Sequence, residues 1–263
     1  MLFANVQGPE LEAIYCYLLE QTSRGQTIPL TALYDQFVAC GDASGQASGI
    51  QHVIEAVCFL KSAGLVKGSS NLQAVPPRLR GETFRLWLLR NLKARALGHG
   101  LADPVDQLYW RLLDTLFVRP EIIHISDLHR AVNQLPDVQA LGGLSQTQTH
   151  SWASVMAFLG VGQIVKSGFL CAYSPHLVHE IVTCWYTDQA PLWDFLEGHF
   201  EQFLPCWRQD GKVANLVRVV LDHLRARRLV EFLPLPGTPP ELAKVSLLDI
   251  PNPAAVLEIR RLP

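Results

Sequence analysis

Val57-Cys58-Phe59-Leu60-Lys61-Ser62-Ala63-Gly64-Leu65-Val66-Lys67 orders the whole chain, because its pattern returns. It reads as the end of an amphipathic helix, then an apolar pair, then a charge. Met156-Ala157-Phe158-Leu159-Gly160-Val161-Gly162-Gln163-Ile164-Val165-Lys166 repeats it, and so does Leu221-Asp222-His223-Leu224-Arg225-Ala226-Arg227-Arg228-Leu229-Val230-Glu231. Aligned on the apolar pair, Leu60, Leu159 and Leu224 coincide, as do Val66, Val165 and Val230. A pattern recurring at wide spacing means one supersecondary unit used several times.

The surroundings of the first two copies also match. Gly68-Ser69-Ser70-Asn71 leads into Leu72-Gln73-Ala74-Val75, and Ser167-Gly168 leads into Phe169-Leu170-Cys171-Ala172-Tyr173. Turn residues between short apolar runs predict β-hairpins. Upstream, Ile28-Pro29-Leu30-Thr31 parallels Ile123-His124-Ile125-Ser126: an extended piece, then Thr31 or Ser126 as an N-cap for a short helix. A longer helix precedes each, with stripes Leu11, Ile14, Tyr15, Leu18 and Val105, Leu108, Tyr109, Leu112. The third copy is followed by a proline-rich turn over 234–240, and Lys244-Val245-Ser246-Leu247-Leu248 reads as its return strand.

Helix, short strand, helix, helix, hairpin is the order of a winged-helix domain. Residues 8–76 and 102–174 each resemble the winged-helix superfamily, an arrangement covering a little over half the chain. The expected fold is mainly α with small β-hairpins (α+β), built from tandem winged-helix units. Unit one is 1–77, a basic linker helix 78–100, unit two 101–174, a connecting helix 175–190, and a truncated winged-helix-like unit 191–263. In this last unit Leu192, Phe195, Leu196, Phe200 and Phe203 stripe the first helix, and the strand and second helix are missing. The alternative for 191–263 is an unrelated helical tail ending in a hairpin.

Composition sets outer limits. The chain has 263 residues, 49% hydrophobic and 17% charged, enough to bury a core and unlike a disordered chain. A net charge of −2 excludes a globally basic nucleic-acid coat or a polybasic membrane binder. No run approaches the length of a membrane-spanning helix, and the first twenty residues lack the basic start of a secretory signal. Six cysteines (Cys16, Cys40, Cys58, Cys171, Cys184, Cys206) form no CxxC pair, and Cys16 and Cys58 sit in apolar helical runs as buried thiols do. The expectation is a reducing, cytoplasmic setting without disulfides.

Charge placement is more informative than the total. Residues 1–77 carry a net −3, 78–98 a net +5, 99–205 a net −7 and 206–263 a net +3. A DNA-reading winged helix places cations on its third helix. In unit one that helix, about 48–63, has only Lys61; in unit two, about 146–159, it has no Lys or Arg. The polar start Gln146-Thr147-Gln148-Thr149-His150-Ser151 could reach bases but not neutralise phosphates. The cations sit instead at Arg78, Arg80, Arg85, Arg90, Lys93 and Arg95 around the linker helix, and at Lys212, Arg218, Arg225, Arg227 and Arg228 in the third unit. The linker set is either a strip for phosphate or an acidic partner, or a solvated face of a core-packed helix. In the third unit, Asp222 between Arg218 and Arg225 predicts an intrahelical ion-pair ladder.

No phosphate-loop, dinucleotide, zinc-protease or serine-hydrolase motif is present. Gly41 to Gly49 is glycine-rich without a phosphate-loop lysine and reads as a mobile loop. Cys171, His176, His179 and Cys184 carry ligand chemistry, but their spacing matches no standard zinc finger, so neither metal nor cofactor is expected. Trp87, Trp110 and Trp193 belong to helical stripes and the core. Trp185, Tyr186 and Trp207 lie outside clear stripes and are candidate partner anchors.

The expected function is a non-enzymatic adaptor that binds a partner protein within a DNA-associated complex. It loosely resembles the tandem winged-helix subunits that clamp the kleisin of chromosome-organising complexes. The alternative is a DNA-binding regulator using the basic linker helix and the third unit. Nucleic acid, met directly or through a complex, and a second copy of the chain stay open as partners; a membrane does not.

Overall fold

A computed structural model describes residues 2–38, 43–98 and 103–262, with side chains at 43–47 left aside. The first repeat folds as α1 (Gly8–Ser23), β1 (Ile28–Pro29), α2 (Leu30–Phe37), α3 (Ala43–Ser62), β2 (Val66–Lys67) and β3 (Asn71–Ala74). Then comes α4 (Phe84–Ala96). The second repeat is α5 (Pro104–Leu113), continued by a π-helical turn over Asp114–Val118, then β4 (His124–Ile125), α6 (Leu128–Asn133), α7 (Pro136–Ala140), α8 (Gln146–Leu159), β5 (Gly162–Val165) and β6 (Gly168–Cys171). The third is α9 (Pro175–Thr183), β7 (Gln189–Pro191), α10 (Leu192–Gly198), α11 (Asn215–Ala226), β8 (Val230–Pro234) and β9 (Leu257–Arg261).

Each repeat closes a three-stranded antiparallel sheet with its last strand in the middle: β1-β3-β2, β4-β6-β5 and β7-β9-β8. The fold is thus α+β, with small sheets. The third unit is not truncated. The helix taken as a connector, α9, occupies the place of a first helix and packs on α11. The missing strand is Gln189–Pro191, paired with β9. The helix read as the first of this unit is the second, α10.

Two insertions hid this unit. Residues 199–214 separate α10 from α11, and 235–256 replace a short hairpin turn. Lys244 to Leu248 is therefore not a return strand; it runs from the end of one 3-10 turn (Pro240–Lys244) into the next (Leu247–Asp249), and Leu257–Arg261 pairs with β8 instead.

The repeat register also shifts. Leu65 N–H donates to Leu60 O, Val161 N–H to Met156 O, and Leu229 N–H to Leu224 O. The residue between helix and strand is left-handed in each case: Gly64 (φ 82°), Gly160 (φ 83°) and Arg228 (φ 59°). So Met156, not Leu159, matches Leu60 and Leu224. A slip of three residues keeps the same helix face, so periodicity alone does not detect it.

Capping corrects two smaller expectations. Thr31 lies inside α2, whose N-cap is Pro29, and Asp127 rather than Ser126 caps α6 by accepting from Arg130 N–H. The glycine-rich stretch expected as a loop is helical from Ala43 onward; Gly41 and Asp42 lie outside the described residues.

The units share one continuous core. Residues Leu2, Phe3 and Val6 precede α1 and are buried, with contacts to unit two. Leu2 N–H donates to Asp106, Val6 N–H to Ser151 Oγ (3.2 Å), and Ser151 Oγ to Ala4 O (2.6 Å). Gly8 permits α1 to meet α8: a Cβ there would lie 2.0 Å from the Phe158 ring. Helix α4 packs on α5 and α9 and buries Leu86, Trp87, Leu88, Leu89 and Leu92. No helix among the described residues is long and apolar enough to cross a membrane.

Candidate interaction surfaces

The cations of α4 are mostly spent inside the molecule. Arg90 donates twice to Glu82 (2.7 and 2.6 Å) and lies over Trp87 at 4.8 Å. Lys93 bonds Glu201 O, stands 3.6 Å from its carboxylate and lies over Trp110 at 5.4 Å. Arg85 lies over Phe158 at 5.0 Å, and Arg95 also has an internal partner. Arg78 and Arg80 are exposed in the loop ahead of the helix, apart from this set. The linker helix is a packed strut, and its basic residues do not form a free strip.

Helix α11 is similar. Arg218 is 5% exposed and donates to Ile250 O (2.7 Å) and Pro251 O (3.0 Å). Arg225 donates to Ala243 O (3.2 Å) and Val245 O (2.8 Å), pairs with Asp222 at 2.8 Å, and lies over Phe232. The expected ladder is half formed, since Asp222 pairs with Arg225 while Arg218 turns to the insertion over 235–256. These two guanidiniums tie that insertion to the helix. Lys212 pairs with Asp210 at 3.6 Å. Arg227 and Arg228 remain exposed, without an ion pair among the described residues.

The other third helices add little positive charge. Lys61 donates to Ser69 O (3.1 Å). Helix α8 starts with a capping box between Ser145 and Gln148. Beside it, the β5-β6 hairpin and the start of α6 bound an open cleft of about 790 Å³ lined by Gln146, Thr147, His150, Ile164 and Lys166, among others. Lys166 is its one lysine or arginine. His129 bonds Leu144 O (3.0 Å), and His124 bonds Ser167 O (3.1 Å).

Of the aromatic anchors, Trp185 is buried, edge-on to Phe195 at 4.8 Å, and so is core. Tyr186 is 91% exposed. Trp207 is half-buried and packs 4.6 Å from Trp193, which is exposed rather than core.

The Cys-His run does not converge. Cys171 Sγ is directed at Val161 O and Cys184 Sγ at Ile181 O, while exposed His176 sits 3.0 Å from Glu180. Burial pushes both thiols up to about 12, so they are neutral and poor nucleophiles. Among the described residues no group of three His, Cys, Asp or Glu could hold a metal. Cys16 and Cys58 are exposed, not buried; Cys40 lies outside the described residues.

One surface went unnoticed in the sequence. Between the second sheet and α11 lies an apolar cleft of about 290 Å³, lined by Ile123, Leu170, Ala172, Tyr173, Leu216 and Val219, with His223 at one end. Ile122, Ile123 and Val219 are exposed at 43%, 60% and 52%. The signal was present as two adjacent isoleucines and a valine off the apolar stripe of α11. Glu121 pins the cleft's edge: its carboxylate accepts from Asn215 N–H (2.8 Å) at the start of α11 and pairs with Arg208 at 2.9 Å.

No protein-family model matches the chain, and no curated protein or solved structure is significantly similar to it.

Proposed function

We propose that the chain is a non-enzymatic adaptor, built of tandem winged-helix units, that binds a partner protein within a DNA-associated complex. The observation that carries this reading is the fate of the third-helix cations. Lys61, Arg218 and Arg225 donate to backbone carbonyls of the chain itself, and α8 has neither Lys nor Arg. None of the three helices presents the row of free cations that phosphate neutralisation needs. Exposed aliphatic surface lies beside α11 instead, the kind of patch that marks protein contacts.

The regulator reading keeps one supporting observation: Arg227 and Arg228 are exposed just after α11, with no ion pair among the described residues. The test separates the two. Affinity purification from the native host, with and without nuclease, is expected to retain a protein partner in both lysates. Random duplex DNA is expected to bind more weakly than about 10⁻⁶ M at physiological salt. Tighter binding with a steep salt slope, abolished by Arg227→Glu with Arg228→Glu, would replace the adaptor with the regulator. Arg225 is unsuitable for that reversal, because its loss would free the 235–256 insertion.

A further inference from the structure

We infer that the cleft between the second sheet and α11 receives a partner segment with two or three aliphatic side chains followed by carboxylates; this deepens the adaptor reading and rests on it. Three observations on different scales support it.

The first is shape and chemistry. The lining is mostly aliphatic and aromatic, and two exposed aliphatic side chains, Ile123 and Val219, lie in it, with exposed Ile122 next to Ile123 in the chain. A volume of about 290 Å³ admits a few side chains of a segment laid across the surface, at the lower limit of small-molecule sites. The second is charge. Among the described residues no Asp or Glu lines the cleft. Val219 and His223 of α11 and Arg227, its C-cap residue, follow at four-residue spacing along one face. That face runs from apolar to cationic, and among the described residues no carboxylate pairs with Arg227 or Arg228, both exposed. An occupant that satisfies both ends is apolar first and acidic second. The third is rigidity. Glu121 adopts φ 58°, a left-handed conformation that a non-glycine residue rarely holds, and its carboxylate fixes both Asn215 and Arg208. The two walls of the cleft are thus joined before any partner arrives, which lowers the ordering cost of binding.

The full chain in its native host is the test system. A photo-reactive phenylalanine analogue replaces Val219 in one strain and Leu141, exposed but outside the lining, in another. The Val219 site is expected to cross-link a foreign peptide with at least two aliphatic residues beside two or more carboxylates. The Leu141 site is expected not to give that peptide. A cross-link to this chain's own peptides, to a peptide without carboxylates or to nucleic acid overturns the proposal, as does no cross-link at all.

Val219→Asp is expected to reduce co-purified partner at least about tenfold, as loss of a buried anchor does. Arg227→Glu with Arg228→Glu is expected to reduce it less, and in a salt-dependent way. Both sites are exposed, so an unchanged melting temperature certifies the fold; Val219→Ser serves if Val219→Asp lowers it. A partner retained by wild type and by both Val219 variants alike sinks the cleft while the adaptor stands. No protein partner for wild type in either lysate sinks the adaptor and the cleft with it.

Discussion

At the residue scale, the buried polar groups tell what the fold has had to reconcile. His199 is 3% exposed, packed among Trp185, Phe195 and Phe203, with its Nε2 2.7 Å from Ile181 O. Burial is the larger effect and lowers its basicity; the carbonyl opposes it. In the unfolded chain the imidazole takes a proton near pH 6.5. In the folded chain it stays neutral to lower pH. Below about 6.5 the unfolded state therefore binds more protons, and stability falls as pH drops toward the folded value. The slope from this one group is at most about 1.4 kcal/mol per pH unit. His199→Gln keeps an N–H for Ile181 O but removes the titration. Urea denaturation at intervals from pH 7 to 5 is expected to show a flatter stability profile for the variant. Equal slopes would mean that His199 does not control this window.

At the element scale, α4 shows how the same residues read differently once packing is known. Its sequence displays four basic side chains around an apolar stripe, with Arg78 and Arg80 just ahead of it, but not which of them find partners. Glu82 decides the matter. It is the single acidic residue in 78–98, its side chain is fully buried, and it receives both forks of Arg90 as well as the backbone N–H of Arg78 and Leu79. Removing one member of a buried pair strands the other, although Arg90 is 20% exposed and water offsets part of the loss. Glu82→Ala is expected to cost about 2–4 kcal/mol by urea denaturation. A cost below about 1 kcal/mol would return α4 to the status of an exposed strip. What was legible was local: the hairpins of the first two units and the long apolar stripes. What was not legible depended on distant chain. Strand β7, Gln189-Ala190-Pro191, is too short for alternation to be read. Arg228 holds a position that glycine marks in the other two units. Arg218 and Arg225 read as surface charges until the residues over 235–256 are seen to cover them.

At the scale of the whole molecule, the three units do not behave as separable beads. Residues 2–6 precede α1 and contact unit two, α4 packs on both α5 and α9, and the buried residues form one cluster. Such continuity predicts one cooperative transition. The six tryptophans make a sharp test, since all lie between Trp87 and Trp207 and none lies in 1–77. Tryptophan fluorescence therefore reports α4 and the second and third units, while far-UV circular dichroism reports every helix. If unit one melted alone, circular dichroism would show a step that fluorescence misses. Coincident thermal midpoints are expected. Ser151→Ala sharpens the test, because Ser151 sits in unit two but satisfies Val6 N–H and Ala4 O from the other end of the chain. The substitution removes both bonds to Ser151 while Val6 N–H keeps its bond to Ala4 O (3.0 Å), at a cost of about 1 kcal/mol. In one cooperative body that cost lowers both midpoints together, by roughly 2–4 °C per kcal/mol. A circular-dichroism curve that splits from the fluorescence curve in this variant would show that unit one unfolds by itself.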